Sequence, residues 1–299
     1  MAEVTSERSK DSDSDDDCGL FMADFFTKDL DIEDTFEYSY GDAIACRLKG
    51  VAKEYGQTTL GTGDGTGLTI WRGAEELCNY LWLKRAMVAG KRCLELGAGL
   101  GLVGLLVSHL RPSVCVVTDG DEATLDRLCS NFGLNDFAPD DASGRGLSWQ
   151  ESERVFNGLQ SSRSSDGGGG GGDASPSPPR ATIARLLWMN SGDMARAANL
   201  APPGSHGYDL ILAADVVYAD EAVIPLVATV SELLSKEPTA RWVLSFARRN
   251  VPVHRVITEA ATKGWGSASA GITPTAEHLS LSLDILFLLL SQARLPPRD

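Results

Sequence analysis

The sequence predicts an α/β fold: a mostly parallel sheet with helices on both faces. Three observations carry this expectation. From Arg92 to Lys263 short apolar runs of strand length alternate with amphipathic runs of helix length, the pattern of successive βαβ units. The first strand runs directly into a glycine-rich turn, Gly97-Ala98-Gly99-Leu100-Gly101, and a helix follows it, as in α/β proteins that bind a ligand at a strand–helix junction. Apolar residues make up 43% of the 299 residues, enough for a sheet buried on both faces, yet the longest apolar run, Leu279 to Leu290, contains Asp284 and is too short to span a bilayer.

Taken in order, the helical pattern around Leu77–Leu83 precedes a strand at Arg92–Leu96, a helix at Leu100–Leu110 that stops before Pro112, and a strand at Val114–Thr118. A helix at Glu122–Phe132, a strand at Ile183–Trp188 and a strand at Asp209–Ala213 follow. The helix at Glu221–Leu234, the strand at Trp242–Phe246 and the helix at Val253–Lys263 complete the alternation, and LSLSLDILFLLL reads as one further strand near the C-terminus. In such sheets ligands bind beyond the carboxyl ends of the strands, where the strand order reverses. Functional residues are therefore expected just after the first four strands.

Two segments interrupt this regularity. Residues 1–40 hold 13 acidic and 3 basic side chains, so of the net charge of −14 only −4 belongs to the remaining 259 residues. Residues 1–35 are expected to be a disordered acidic tail, because so polar a stretch buries too little apolar surface to offset its conformational entropy. Residues 138–180, with six consecutive glycines and a Ser-Pro-Ser-Pro-Pro run, are expected to be a flexible insertion within one domain spanning 36–299. No basic stretch is interleaved with aromatic residues, which argues against general nucleic-acid binding. The six cysteines show neither a CxxC pair nor zinc-type spacing, so no metal is expected and a reducing compartment is. A soluble, cytoplasmic or also nuclear monomer is the resulting expectation.

The glycine loop fits two registers. Glu95-Leu96-Gly97-Ala98-Gly99-Leu100-Gly101 places a carboxylate at the strand end, which suits an ammonium or sulfonium group, whereas Gly99-Leu100-Gly101-Leu102-Val103-Gly104 fits the dinucleotide pattern that seats a pyrophosphate on a helix N-terminus. The first is favoured because Gly97 stands immediately after the strand. Asp119, 18 residues beyond Gly101, is spaced to accept ribose hydroxyls, and that role alone does not separate a nicotinamide cofactor from an adenosyl one. Trp188 is placed either to stack on adenine or to fill the core. Asp215 and Tyr218, just past the fourth strand, are placed at the rim, with a helix cap and a packed aromatic as the alternative.

Gly67-Leu68-Thr69-Ile70-Trp71, ELGAGLG, VTDGD, LLW and AADVVY occur in this order, and the combination resembles the family 16 branch of seven-strand, class I, Rossmann-like S-adenosylmethionine-dependent methyltransferases. The resemblance covers roughly Tyr38 to Trp265 outside the insertion. It implies S-adenosyl-L-methionine as cofactor and a protein-lysine substrate, with Trp71 and the loop from Glu95 through Gly97 and Gly99 to Gly101 bordering the methionine end, Asp119 the ribose and Trp188 the adenine. It implies further that Ala214 and Asp215 lie beside the reacting centre and that Tyr218 walls the acceptor channel. A C-terminal pair of strands is also implied. A methyltransferase acting on another side chain or a small molecule, a non-catalytic binder of the same cofactor, and a nicotinamide-dependent oxidoreductase are the competing functions.

Overall fold

A hairpin precedes the α/β unit. Strands β1 (Glu33–Tyr40) and β2 (Ile44–Val51) pair antiparallel, with Tyr40 opposite Ile44, across a turn in which Gly41 has φ +61°. In β2 the side chains alternate, Cys46, Leu48 and Gly50 inward and Arg47 and Lys49 outward, as a half-buried strand requires. This computed structural model describes residues 33–51, 66–137, 181–202, 204–247, 251–263, 265–267 and 285–292. Most of the expected tail and the whole expected insertion lie outside the described residues. Residues 33–35, however, belong to β1: Glu33 ion-pairs with Arg127 and lies 3.6 Å from Lys49 Nζ, contacts that a sequence-local reading of charge cannot see.

The remaining strands form one sheet. They are β3 (Arg92–Leu96), β4 (Val114–Asp119), β5 (Ala181–Arg185), β6 (Leu210–Ala214), β7 (Arg241–Ala247), β8 (Trp265–Ser267) and β9 (Ile285–Gln292), in the order β5-β4-β3-β6-β7-β9-β8. The first five in that order are parallel, and β9 runs antiparallel to both β7 and β8. The implied C-terminal pair is therefore present, although β8 has only three residues, too few to show a periodic signal. Strands β4 and β5 pair directly, Cys115 opposite Ala181, so the chain on either side of 138–180 builds one sheet.

Among the described residues six α-helices connect the strands: α1 (Arg72–Leu83), α2 (Leu102–His109), α3 (Glu122–Gly133), α4 (Ser191–Asn199), α5 (Val223–Leu233) and α6 (Val253–Thr262). The core lies in two layers. Cys93, Cys115, Val117 and Leu212 face the layer built with α1, α2 and α3, whereas Leu94, Leu96, Val116, Ile211 and Ala213 face the layer built with α5 and α6. The period-two alternation of strand side chains makes this division, and it forces Glu95 onto the same face as Cys93, beneath α2. Strand β5 ends at Arg185, so Trp188 sits in the following turn and not on the strand as expected. Asp193 explains the early end. Its Oδ2 accepts the Leu187 N–H at 2.9 Å, and it pairs with Arg196 and Arg185, fixing a turn in place of three more strand residues.

Candidate active site

The carboxyl ends of the parallel strands open into a cavity of about 410 Å³. It lies where the order reverses between β3 and β6, the place where such sheets bind ligands. Trp71, Glu95, Gly97, Gly99, Asp119, Trp188, Ala214, Asp215 and Tyr218 all line it. Gly101 does not. It precedes α2 with φ +91°, and a Cβ there would stand 2.3 Å from Leu128 Cδ1 and 2.9 Å from Phe132. The third glycine thus lets α2 begin against α3 and has no part in the cavity wall.

The other glycines also serve the protein's own packing. Gly97 and Gly99 have φ +65° and +54°, a region L side chains enter at a cost of about 1–2 kcal/mol. A Cβ on Gly97 would lie 2.6 Å from Val216, and one on Gly99 would lie 3.2 Å from the Gly67 carbonyl oxygen. Gly104, third glycine of the dinucleotide register, leaves room for a carboxylate: its Cβ would fall 2.7 Å from Glu95 Oε2. Three of the loop's amides have acceptors within the protein. The N–H of Ala98 donates to Thr118 O at 2.9 Å, that of Gly101 to Ala98 O at 2.9 Å, and that of Gly99 to Asp119 Oδ2 at 3.0 Å.

Four carboxylates, Glu95, Asp119, Asp121 and Asp215, line the cavity, and none of its described lining residues is Lys or Arg. Glu95 is 4% exposed, and its Oε2 has no hydrogen-bond partner among the described residues. Burial pushes its carboxyl up to about 8, only partly offset by the Gly104 N–H. Asp119 is also raised by burial, against three backbone hydrogen bonds that favour its charged form. Its Oδ2 holds the Gly99 N–H, and its Oδ1 accepts from Gly120 at 2.7 Å and Asp121 at 3.1 Å. Asp121 caps α3, accepting from the Thr124 N–H at 2.7 Å and the Thr124 hydroxyl at 2.8 Å.

Asp215 has a structural partner as well. Its Oδ2 accepts the Gly73 N–H at 2.7 Å, in the first turn of α1, 142 residues away in sequence. The residue before that turn, Trp71, supplies no side-chain cap, and its indole N–H donates to Thr66 O at 2.7 Å. Asp215 adopts φ +54°, an uncommon conformation that aims its side chain across the crevice. Tyr218 is 52% exposed at the mouth. Trp188 is half-buried, packed on the α5–α6 layer with an edge 3.7 Å from where a Gly97 Cβ would lie. The sequence assigned no role to Thr66, Gly67, Thr69 or Ile70, which also line the cavity. Three of them belong to the Gly67-to-Trp71 motif, but nothing in a loop's residue pattern singles out which of its side chains faces a ligand.

A seven-stranded sheet with an antiparallel C-terminal pair, carrying a glycine turn after the central strand and an acidic residue after the next, defines a Rossmann-like class I methyltransferase fold. The family model described as lysine methyltransferase matches residues 57–160 and 180–260, and the chain belongs to this family. The unmatched stretch, 161–179, is narrower than the insertion expected from composition. The chain is 29% identical over 171 residues to the zebrafish protein N-lysine methyltransferase METTL21A, covering 57% of each. It is 30% identical over 174 residues to the bovine protein-lysine N-methyltransferase EEF2KMT, covering 56% of this chain and 42% of that protein. A rat histone-arginine methyltransferase, METTL23, is 26% identical over 176 residues, covering 59% of this chain and 57% of that protein. The chain thus spans about half the length of the curated relatives it matches. Among solved structures it is similar to a methyltransferase from Pyrococcus furiosus, with a TM-score of 0.43 and 12% identity over 72% of this chain and 82% of that one.

Proposed function

We propose that this protein is an S-adenosylmethionine-dependent methyltransferase that methylates lysine side chains of another protein. The observation that carries the reading is the cavity wall, with four carboxylates and neither Lys nor Arg among its described residues. Such a wall attracts cations and repels anions. It suits a sulfonium cofactor and a lysine ammonium, and it is ill-matched to the pyrophosphate of a dinucleotide. The names of two of the three relatives above, and the family's description, support the same reaction.

When bound, the cofactor supplies an electrophilic methyl group. The chain's own contribution is positioning and electrostatics. The carboxylates draw the lysine in as its ammonium, and the amine must lose a proton to solvent before its lone pair can attack. Tyr218, exposed at the mouth, flanks the incoming amine with its ring face. Asp215 acts through Gly73: by tying β6 to the first turn of α1 it sets the spacing between the rim and the Trp71 wall, and is a positioning residue. Leu187, Tyr218 and Ile224 are large exposed apolar side chains at or beside this mouth, a surface suited to a protein partner. The five described cysteines are all buried thiols, which supports a reducing compartment, cytoplasmic or nuclear. Among the described residues no helix is long and apolar enough to cross a membrane.

Methyl transfer to arginine is the second reading, because a guanidinium suits an acidic wall equally and one relative carries that name. Incubation with tritiated S-adenosylmethionine and a cell extract, followed by hydrolysis of the labelled band, separates the two: methyl-lysine is expected, and methyl-arginine alone overturns the lysine assignment. In the same assay Tyr218→Ala should lower turnover at least tenfold while cofactor affinity stays within a few-fold. Equal losses in both would assign the tyrosine to folding.

A further inference from the structure

The hairpin has one closed edge and one open edge. Along β2, Lys49 and Arg47 turn their backbone groups toward two asparagines, Asn131 in α3 and Asn135 just beyond it. The Lys49 N–H donates to Asn131 Oδ1 at 2.9 Å, and the Lys49 carbonyl accepts from Asn131 Nδ2 at 3.2 Å. Arg47 makes the same two bonds to Asn135, at 2.8 and 2.7 Å. The two side-chain amides thus take the place of a neighbouring strand. Lys49 and Arg47 stand opposite Thr35 and Glu37, and at such pairs in an antiparallel ladder both residues point their N–H and C=O groups away from each other. Thr35 and Glu37, and by alternation Glu33 and Ser39, therefore present theirs on the far side of β1. No hydrogen bond meets them there among the described residues. Strand β1 contains no proline and no lysine, and its register with β2 runs from Glu33 to Tyr40 without a bulge, so it lacks three of the devices that blunt an exposed edge.

We propose that β1 is a docking strand, onto which an extended basic segment of the acceptor protein adds as a third strand of the hairpin's sheet. Charge selects the occupant. Strand β1 carries Glu33, Asp34 and Glu37 and no basic residue. A second copy of β1, or this chain's residues 1–32 with ten acidic and three basic side chains, would add like charge, whereas a segment bearing Lys or Arg adds the opposite. Glu33 is engaged by Arg127 and Lys49. Asp34 is exposed, and Glu37 meets Arg47 with side chains 66% and 61% exposed, which leaves both carboxylates open to a further cation. Phe36 and Tyr38, on the face opposite Glu37, are partly buried against the core, so the pattern that fits is basic residues alternating with apolar ones. The strand begins beside the cavity. A Cβ on Gly50, opposite Asp34, would lie 2.8 Å from the Leu68 carbonyl oxygen and 2.3 Å from Leu100 Cδ1, and Leu100 lines the cavity. That the docked protein is the methyl acceptor rests on the function proposed above; the open edge does not.

Fluorescence anisotropy of the full chain with a labelled octapeptide alternating lysine and valine tests the edge. It should bind about tenfold or more tighter than its glutamate–valine counterpart, and N-methylation at every lysine, which removes the N–H groups of that edge, should abolish the preference. Thr35→Pro removes only an outward N–H, so the ladder with β2 stays intact. It should weaken the lysine–valine peptide about tenfold or more, with melting temperature and S-adenosylhomocysteine affinity unchanged. Ser39→Pro provides the same comparison should the first variant fail to fold. In the tritium assay above, Thr35→Pro should slow labelling of the acceptor by a similar factor. Absence of peptide binding, equal binding of the acidic peptide, or binding indifferent to the proline overturns the proposal. A dimer in light scattering that Thr35→Pro dissociates assigns the edge to a second copy and also overturns it. Weakened peptide binding with undiminished labelling overturns the acceptor's place on β1. If the unmodified protein binds no S-adenosylhomocysteine, the methyltransferase reading is false, whatever the peptide does.

Discussion

Glu95 and Asp119 are carboxylates at the ends of adjacent strands, both buried and both raised by desolvation, yet their surroundings differ. Asp119 spends both oxygens on three backbone N–H groups that lock the glycine loop and the turn after β4. Glu95 also lines the cavity, but its Oε2 is buried beside Gly104 with no hydrogen-bond partner among the described residues. The difference separates two ways of building a binding site. A satisfied carboxylate is scaffold that shapes the wall, and any ligand contact it makes is additional. An unsatisfied one is a standing cost of the ligand-free protein that a cation relieves, the familiar trade of stability for function.

The largest effect should follow Asp119→Ala. It strips three amides of their acceptor in a part-buried turn, and leaving such groups unpaired costs about 1–3 kcal/mol each before relaxation and rehydration. The expected outcome is a loss on the order of 3 kcal/mol in urea unfolding, with no detectable binding of S-adenosylhomocysteine. A variant that keeps wild-type stability but loses binding would instead make Asp119 mainly a ribose ligand and erase the contrast with Glu95.

Glu95→Gln should move stability the opposite way, and pH exposes the reason. The folded-state value is about 8 against an ordinary 4.5. Between these limits the folded protein holds a proton that the unfolded chain has released, so stability falls as pH rises through this window. Glutamine cannot ionise. Its advantage should be small near pH 4.5 and grow to roughly 4 kcal/mol by pH 8, while affinity for S-adenosylhomocysteine declines. Urea unfolding of both proteins at pH 5 and pH 8 measures the gap, and a gap independent of pH would mean that Glu95 titrates as a solvated carboxylate.

The smallest effect is expected for Asp215→Asn. An asparagine oxygen can still accept the Gly73 N–H, and asparagine tolerates the left-handed backbone seen at this position. Only the charge–dipole part of the cap is lost, about 0.3–1 kcal/mol. Asp215→Ala, lacking the acceptor, should cost about 1–2 kcal/mol. If the asparagine variant is as impaired in melting temperature as the alanine one, the carboxylate's charge matters more than its cap, and Asp215 joins Glu95 in the comparison.

Much of this architecture was legible in the chain. Apolar runs of strand length, separated by amphipathic runs, specify a parallel sheet because such strands are buried on both faces, and the strands and the long helices lie within a few residues of the expected places. The glycine turn and the acidic residues after the strands marked the cavity's position, since topology alone puts strand ends together. The missed elements, β1, β2, α4 and β8, either have one exposed face or are too short for periodicity to register.

What the sequence could not carry is which partner each polar side chain finds. Asp215 caps a helix whose first turn lies 142 residues earlier, Gly101 serves the packing of α2 on α3, and Glu95 Oε2 is buried with no hydrogen-bond partner among the described residues. Spacing fixes which face of a strand a residue occupies, because the pleat has period two. Whether a buried oxygen is satisfied depends on atoms that only the packed fold brings within hydrogen-bond distance.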